Sequence, residues 1–119
     1  NFLPVTVVEV RELGVVVETE HHDRVPVAGI GAFGVGSRGV LVLRPETLSI
    51  VEAAEARGPG LPGMVVLRVF EGTRYVYEID IGASTPVRVE LPATATAVYR
   101  LGDRVRVEVS TDTVVLLPA

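Results

Sequence analysis

The 119-residue chain contains no cysteine, no lysine, no glutamine and no tryptophan. Without cysteine, disulfide scaffolds, thiol nucleophiles and thiolate zinc sites are excluded. Without lysine, so are Schiff-base chemistry and any phosphate-binding loop built on that residue. Aromatics are scarce, at three Phe and three Tyr. No apolar run reaches the ~18 residues that a membrane-spanning helix requires. The charged and apolar regions of a secretory leader are also missing from the sequence given. All 11 basic residues are arginine, and the formal charge of −4 argues against nonspecific nucleic-acid binding. The sequence starts at Asn1 and its one methionine is Met64, so either a processed chain or, in preference, a piece of a longer protein is expected.

What the chain has is strand and turn material. Valine occurs 25 times, with 12 Gly and 8 Pro, and β-branched residues favour a pleated, half-buried surface. In Arg104-Val105-Arg106-Val107-Glu108-Val109 the valines share one face and the charges the other, as in a strand with one wet side. Residues 87–91 repeat the pattern, and 75–81 do so with aromatic and β-branched residues inward. Further strands are expected at 5–10, 15–20, 24–27, 40–44, 64–70 and 114–117. Gly14 and Glu71-Gly72 are read as hairpin turns. Only residues 47–57 could hold a helix, ended at once by Gly58-Pro59-Gly60.

The chain also repeats itself. Leu3-Pro4-Val5-Thr6-Val7-Val8 is similar to Leu61-Pro62-Gly63-Met64-Val65-Val66 at an offset of 58. Val35-Gly36-Ser37-Arg38 is similar to Leu101-Gly102-Asp103-Arg104 at an offset of 66, which also places Thr47 on Thr113, Leu48 on Val114 and Ile50 on Leu116. The expectation is a first β-unit at 1–50, a linker at 51–60 and a second β-unit at 61–119. Regularly spaced short strands suit a small barrel, whose closure removes exposed edges. The fold class expected is all-β, with tandem OB-like small barrels and little or no helix.

Several motifs invite chemistry and fail on context. Gly29-Ile30-Gly31-Ala32-Phe33-Gly34 matches the dinucleotide fingerprint, but that site needs a helix opening at the loop. Here a strand follows, so a flexible loop between strands is expected. His21 and His22 are adjacent, and in extended chain they point to opposite sides; with no third His or any Cys, a polar turn is expected rather than a metal site. None of Ser37, Ser49, Ser84 and Ser110 lies in a nucleophile-elbow context. Acidic residues mostly take the outward phases of strands, as a solvated face does. In Leu43-Arg44-Pro45-Glu46, proline closes a strand, and the Arg44 side chain is expected to be held by a carboxylate or by carbonyls near the junction of the units.

Asn1-Phe2-Leu3-Pro4, Gly36-Ser37-Arg38 and Arg44-Pro45-Glu46 resemble the C-terminal region of ABC-importer ATPase subunits. So do Val69-Phe70-Glu71-Gly72-Thr73 and Tyr75-Val76-Tyr77. Leu101-Gly102-Asp103-Arg104-Val105 and the closing Val114-Val115-Leu116-Leu117 complete the pattern. The chain resembles the TOBE (transport-associated OB) domain, most closely the version in spermidine/putrescine and ferric-iron importers. The resemblance implies a non-catalytic regulatory or dimerisation tail of an ATPase subunit. It implies no cofactor in this chain, ATP and Mg belonging to a separate ATPase domain. The implied partners are that ATPase domain, a second copy of the subunit, a membrane permease through the parent and a small effector, with no nucleic acid. The implied location is cytoplasmic, peripheral to the inner face of the membrane through the transporter complex. Arg44, Pro45, Glu46, Gly72 and Gly102 are family-motif positions with structural roles. Oxyanion-binding relatives use loop amides and hydroxyls, for which Ser37, Ser84 and Thr85 are the candidates. The alternatives are a free-standing small-ligand or oxyanion-binding β module and a purely structural β-domain.

Overall fold

A computed structural model of the chain describes residues 1–29, 33–55, 58–94 and 97–119. The first half supplies β1 (Phe2–Arg11), β2 (Gly14–Thr19), β3 (Arg24–Ala28), β4 (Arg38–Val42) and β5 (Ser49–Glu52). Burial alternates through Leu3, Val5 and Val7 in β1 and through Val25 and Val27 in β3, while Val15–Val17 of β2 are all buried and Leu41 and Ile50 anchor β4 and β5. The second half supplies β6 (Gly60–Phe70), β7 (Arg74–Asp80), β8 (Val87–Pro92), β9 (Arg104–Glu108) and β10 (Val115–Pro118). The strands form two five-stranded antiparallel sheets, ordered β10-β4-β1-β2-β3 and β5-β9-β6-β7-β8. No helix among the described residues is long and apolar enough to cross a membrane.

The last strand of each half lies in the sheet of the other. β5 pairs with β9, Ile50 opposite Val107, and β10 pairs with β4, Leu116 opposite Leu41. Leu43, Leu48 and Ile50 from one half share a single core with Leu61, Tyr77, Tyr99 and Val107 from the other. In the second sheet the outermost strands, β5 and β8, approach each other, so that sheet curls toward closure.

The internal repeat has a detailed counterpart in the backbone. Both long strands, β1 and β6, carry a register shift, between Val7 and Glu9 and between Val65 and Leu67; a bulge of this kind bends and twists the strand. Beside each bulge the same bonds recur. Val7 N–H donates to Ser37 O at 2.8 Å and Gly36 N–H to Val7 O at 2.8 Å. Val65 N–H donates to Asp103 O at 3.0 Å and Gly102 N–H to Val65 O at 2.8 Å. Gly36 and Gly102 have φ of 89° and 90°, a conformation that costs glycine nothing and other residues a good deal.

Two local expectations change. Residues 47–55 form no helix: a 3₁₀ turn at Pro45–Thr47 leads into β5, and a second 3₁₀ turn at Ala53–Glu55 follows it. The cause is period-two burial, with Leu48 and Ile50 in the core and Ser49 exposed, which overrides the weak helix preference of the Ala/Glu run. Ala56 and Arg57 lie outside the described residues. Gly14 is not in the turn but opens β2 opposite Arg11, and Glu12-Leu13 make the two-residue hairpin loop.

Candidate ligand-binding clefts

The repeat generates two equivalent clefts. One, of about 430 Å³, is bordered by Thr6, Glu18, Glu20 and Arg38. The other, of about 310 Å³, is bordered by Met64, Asp80, Gly82, Arg104 and the ring of His21. Strand pairing makes the correspondence explicit. Thr6 faces both Glu18 and Arg38, and Met64 in the same way faces Asp80 and Arg104. The two arginines stand at the first position of β4 and of β9, directly after the glycine-led turns.

The clefts differ in electrostatics. In the first, two carboxylates accompany one guanidinium. Glu18 is engaged with His22 Nδ1 at 3.0 Å and with Arg24 Nε at 3.5 Å. Its carboxyl is held below the usual carboxylate range, chiefly by the hydrogen bond with His22, against partial burial and with help from the charges of His22 and Arg24. Glu20 accepts the Ser84 hydroxyl at 3.2 Å. In the second cleft the one bordering acid, Asp80, is occupied locally, accepting Gly82 N–H at 2.9 Å. Arg104 makes no ion pair or side-chain hydrogen bond among the described residues.

His21 reaches this cleft because two loops lean on each other. A Cβ on Gly82, whose φ is +80°, would stand 2.6 Å from His21 Cδ2, so the β7–β8 loop lies against the β2–β3 turn. That turn is closed by the buried Thr19, whose carbonyl accepts His22 N–H at 2.9 Å and whose hydroxyl accepts Asp23 N–H at 3.2 Å. His22 takes a left-handed φ of 66° there, and His21 Nδ1 lies 3.5 Å from Asp23 Oδ2. The adjacent histidines thus contact different acids, and they do so from a turn in which His22 is left-handed, not from the extended chain expected of the sequence. No group of three metal-ligating side chains occurs among the described residues.

The residues singled out from sequence are dispersed. Ser37 Oγ accepts Gly34 N–H at 3.1 Å and so caps the turn before β4. Asp103 does the same for Arg100 N–H at 2.8 Å in the repeat. Ser84 is committed to Glu20, an acid that would repel an anion, and Thr85 is exposed on the same loop. No bond joins Ser37 to Ser84. Pro45 starts the 3₁₀ turn, Glu46 is exposed, and Gly72 supplies a φ of 82° between β6 and β7. The guanidinium of Arg44 is exposed and has no partner among the described residues; its carbonyl is what matters, accepting Thr47 N–H at 3.0 Å and the Thr47 hydroxyl at 2.8 Å. Within Gly29–Gly34, residues Ile30, Gly31 and Ala32 lie outside the described residues. Arg104, Asp80 and His21 escaped attention as a group, although the repeat of Arg38 at Arg104 was a signal that could have found the cleft.

A comparison with curated protein sequences finds no match. Among solved structures the chain is similar to a cytoplasmic molybdate-binding protein, ModG, in a form with molybdate bound. The TM-score is 0.85 at 13% identity, over 100% of this chain and 96% of that one. The likeness shows that the two share a fold, a tandem of OB-like units. The family model of the TOBE domain matches residues 41–117. That span includes the cleft residues Met64, Asp80, Gly82 and Arg104, and it covers more than half of the sequence. The chain belongs to the TOBE domain family.

Proposed function

We propose that this chain is a non-catalytic binding module that takes a small tetrahedral oxyanion in the cleft beside Arg104. The observation that carries the reading is the free guanidinium of Arg104 in a recess whose acid, Asp80, is already bonded to Gly82 N–H. Guanidinium groups present several donors in a planar fork that suits oxyanions. His21 adds a ring nitrogen and, when protonated, a second positive charge. The shared fold with a molybdate-bound protein supports an oxyanion as the ligand class. Titration calorimetry with molybdate and with sulfate tests it. Saturable binding is expected, weakened at least about tenfold in Arg104→Met. Heat without saturation, or equal affinity in the variant, would sink the reading.

The sequence motifs favour a wider setting for the same module. The Asn1–Pro4, Gly36–Arg38, Arg44–Glu46 and Leu101–Val105 patterns resemble the C-terminal region of ABC-importer ATPase subunits. In that setting the module is the subunit's regulatory tail, beside its own ATPase domain, a second subunit and the permease at the inner membrane face, and the oxyanion is its effector. An in-frame ATPase domain in the DNA immediately upstream is the expected finding; a stop codon directly before this segment would refute this wider setting while leaving the oxyanion site standing.

A further inference from the structure

The outer faces of the two sheets are not alike. Strand pairing aligns Phe2 with Val42 and Val42 with Val115; one pleat along, it aligns Pro4 with Val40 and Val40 with Leu117. Residues paired in this way share one face of a sheet. The intervening Leu3 and Leu41 are buried in the core, so these six side chains point outward. Phe2 is 68% exposed, Val115 50% and Leu117 45%. Pro4 is exposed too, and Val40 and Val42 are half-buried. Together they make a continuous apolar face three strands wide.

The repeat supplies an internal control. In the second sheet the equivalent positions hold Gly60 and Pro62 on β6, Arg106 and Glu108 on β9, and Ser49 and Val51 on β5. The same backbone there carries two charged residues on its central strand, so the fold does not require an apolar outer face. A contiguous exposed apolar patch marks an interaction surface. This one is bordered by cations at both ends. Along β4 and just past it, Gly39, Leu41 and Leu43 are buried, which puts Arg38, Val40, Val42 and Arg44 on the outward side. Both arginines are exposed, and neither guanidinium makes an ion pair among the described residues. Six residues of extended chain separate them by about 20 Å.

We infer that this face is the docking surface for an amphipathic helix of a partner protein, laid along β4 with carboxylates at both ends of its apolar stripe. The dimensions select a helix. Three strands at a spacing of about 4.8 Å span about 10 Å, close to the 10–12 Å diameter of roughly one helix. The ~20 Å between the arginines matches about 13 helical residues. A helix also satisfies its own backbone, whereas a lone strand laid on these side chains leaves its amides and carbonyls unpaired. The charges select acids, since carboxylates pair well with free guanidinium groups. A second copy of the chain is a poorer occupant: it brings the same two cations, and no acid stands among its face residues. The formal charge of −4 disfavours an anionic bilayer. None of these residues borders the cleft beside Arg104, so the inference stands apart from the oxyanion reading.

The test is a titration of the isotope-labelled chain with two synthetic helical peptides, followed in amide spectra. Both carry a leucine stripe at helical spacing; one has glutamate at each end of the stripe, the other lysine. Saturable shifts centred on Phe2, Val40, Val42, Val115 and Leu117 are expected, with the glutamate peptide bound about tenfold more tightly than the lysine one. Combining Arg38→Ala with Arg44→Ala should erase that preference. Val42→Glu copies Glu108 and should weaken binding about tenfold. Should that variant fail to fold, Val115→Ser copies Ser49 and should weaken binding several-fold. Absence of saturable shifts in the parent chain, equal affinity for the two peptides, or affinity unchanged in a folded Val42→Glu or Val115→Ser variant would each overturn the inference. So would shifts of the same residues when the chain alone is concentrated, the mark of a second copy, or when phosphatidylcholine vesicles are added, the mark of a bilayer.

Discussion

Tyr77 Oη accepts the backbone N–H of Tyr99 at 3.2 Å inside the core, and Tyr99 Oη donates to Ile50 O at 2.8 Å. Two phenol groups thus join β7, the segment before β9 and the exchanged strand β5. A buried amide or carbonyl left without its partner costs about 1–3 kcal/mol. Tyr77→Phe and Tyr99→Phe should each lower stability by about that amount in urea unfolding. Tyr75, half-buried beside Phe70 with centroids 5.1 Å apart, has no hydroxyl partner among the described residues. Tyr75→Phe should stay within the ~0.5 kcal/mol of ordinary surface changes.

The same bonds explain how far the fold was legible. Nine strands were readable: in 87–91 and 104–109 valines alternate with charged residues, as a half-buried antiparallel strand requires, and the others are short runs rich in β-branched and aliphatic residues. β5 was not, because Ser49-Ile50-Val51-Glu52 is short and runs into Ala53-Ala54-Glu55, residues that suit a helix equally well. Its strand conformation comes from Val107 and Glu108 of the other half, a partner no local window contains. The repeat could be read, since Gly36 and Gly102 need the same positive φ. The repeat carries Arg38 onto Arg104, but the grouping of Asp80, Gly82 and His21 beside Arg104 was not legible. It comes from the pairing of β6 with β7 and β9 and from the β7–β8 loop lying against the β2–β3 turn, partners no local window contains.

Strand exchange makes the halves mutually dependent. A fragment of residues 1–58 keeps β1 to β5 but lacks β10, the neighbour that covers β4. It also strands Leu48 and Ile50 without the second-half core that buries them. Exposing two such side chains and an extra edge is costly for so small a unit. The fragment alone should give a poorly dispersed amide spectrum, as should 59–119 alone. Mixing the two should restore the dispersion of the intact chain. Independent folding of either fragment would show that the exchanged strands add little.

Arg44 tests the difference between a motif and its mechanism. The side chain is exposed and unpaired, whereas its carbonyl is bonded twice by Thr47. Arg44→Ala leaves that carbonyl in place and should change stability by no more than ~0.5 kcal/mol. Thr47→Ala removes the hydroxyl donor and should cost about 0.5–1.5 kcal/mol, the usual net value of one hydrogen bond. Thermal unfolding of the two variants side by side decides it. A larger loss in Arg44→Ala than in Thr47→Ala would show that the guanidinium, not the turn, carries the corner.

The β2–β3 turn should make stability depend on acid in a defined direction. Glu18 has a folded pKa below its ordinary value, chiefly through the hydrogen bond with His22. As pH falls, the unfolded chain therefore takes up the Glu18 proton before the folded chain does. Between the two pKa values the unfolded state binds more protons, so stability rises with pH across that window. The contribution is fully present above the ordinary carboxylate pKa of about 4.3 and is lost as pH falls through the lower folded value. His22→Ala removes the largest cause and leaves Arg24 at 3.5 Å as the remaining cation. Urea unfolding of parent and variant should then give curves whose separation narrows as pH drops below the carboxylate range. The Glu18 carboxyl resonance, followed by NMR, should titrate closer to its ordinary value in His22→Ala. A resonance that titrates alike in both proteins would show that His22 does not hold the Glu18 carboxylate.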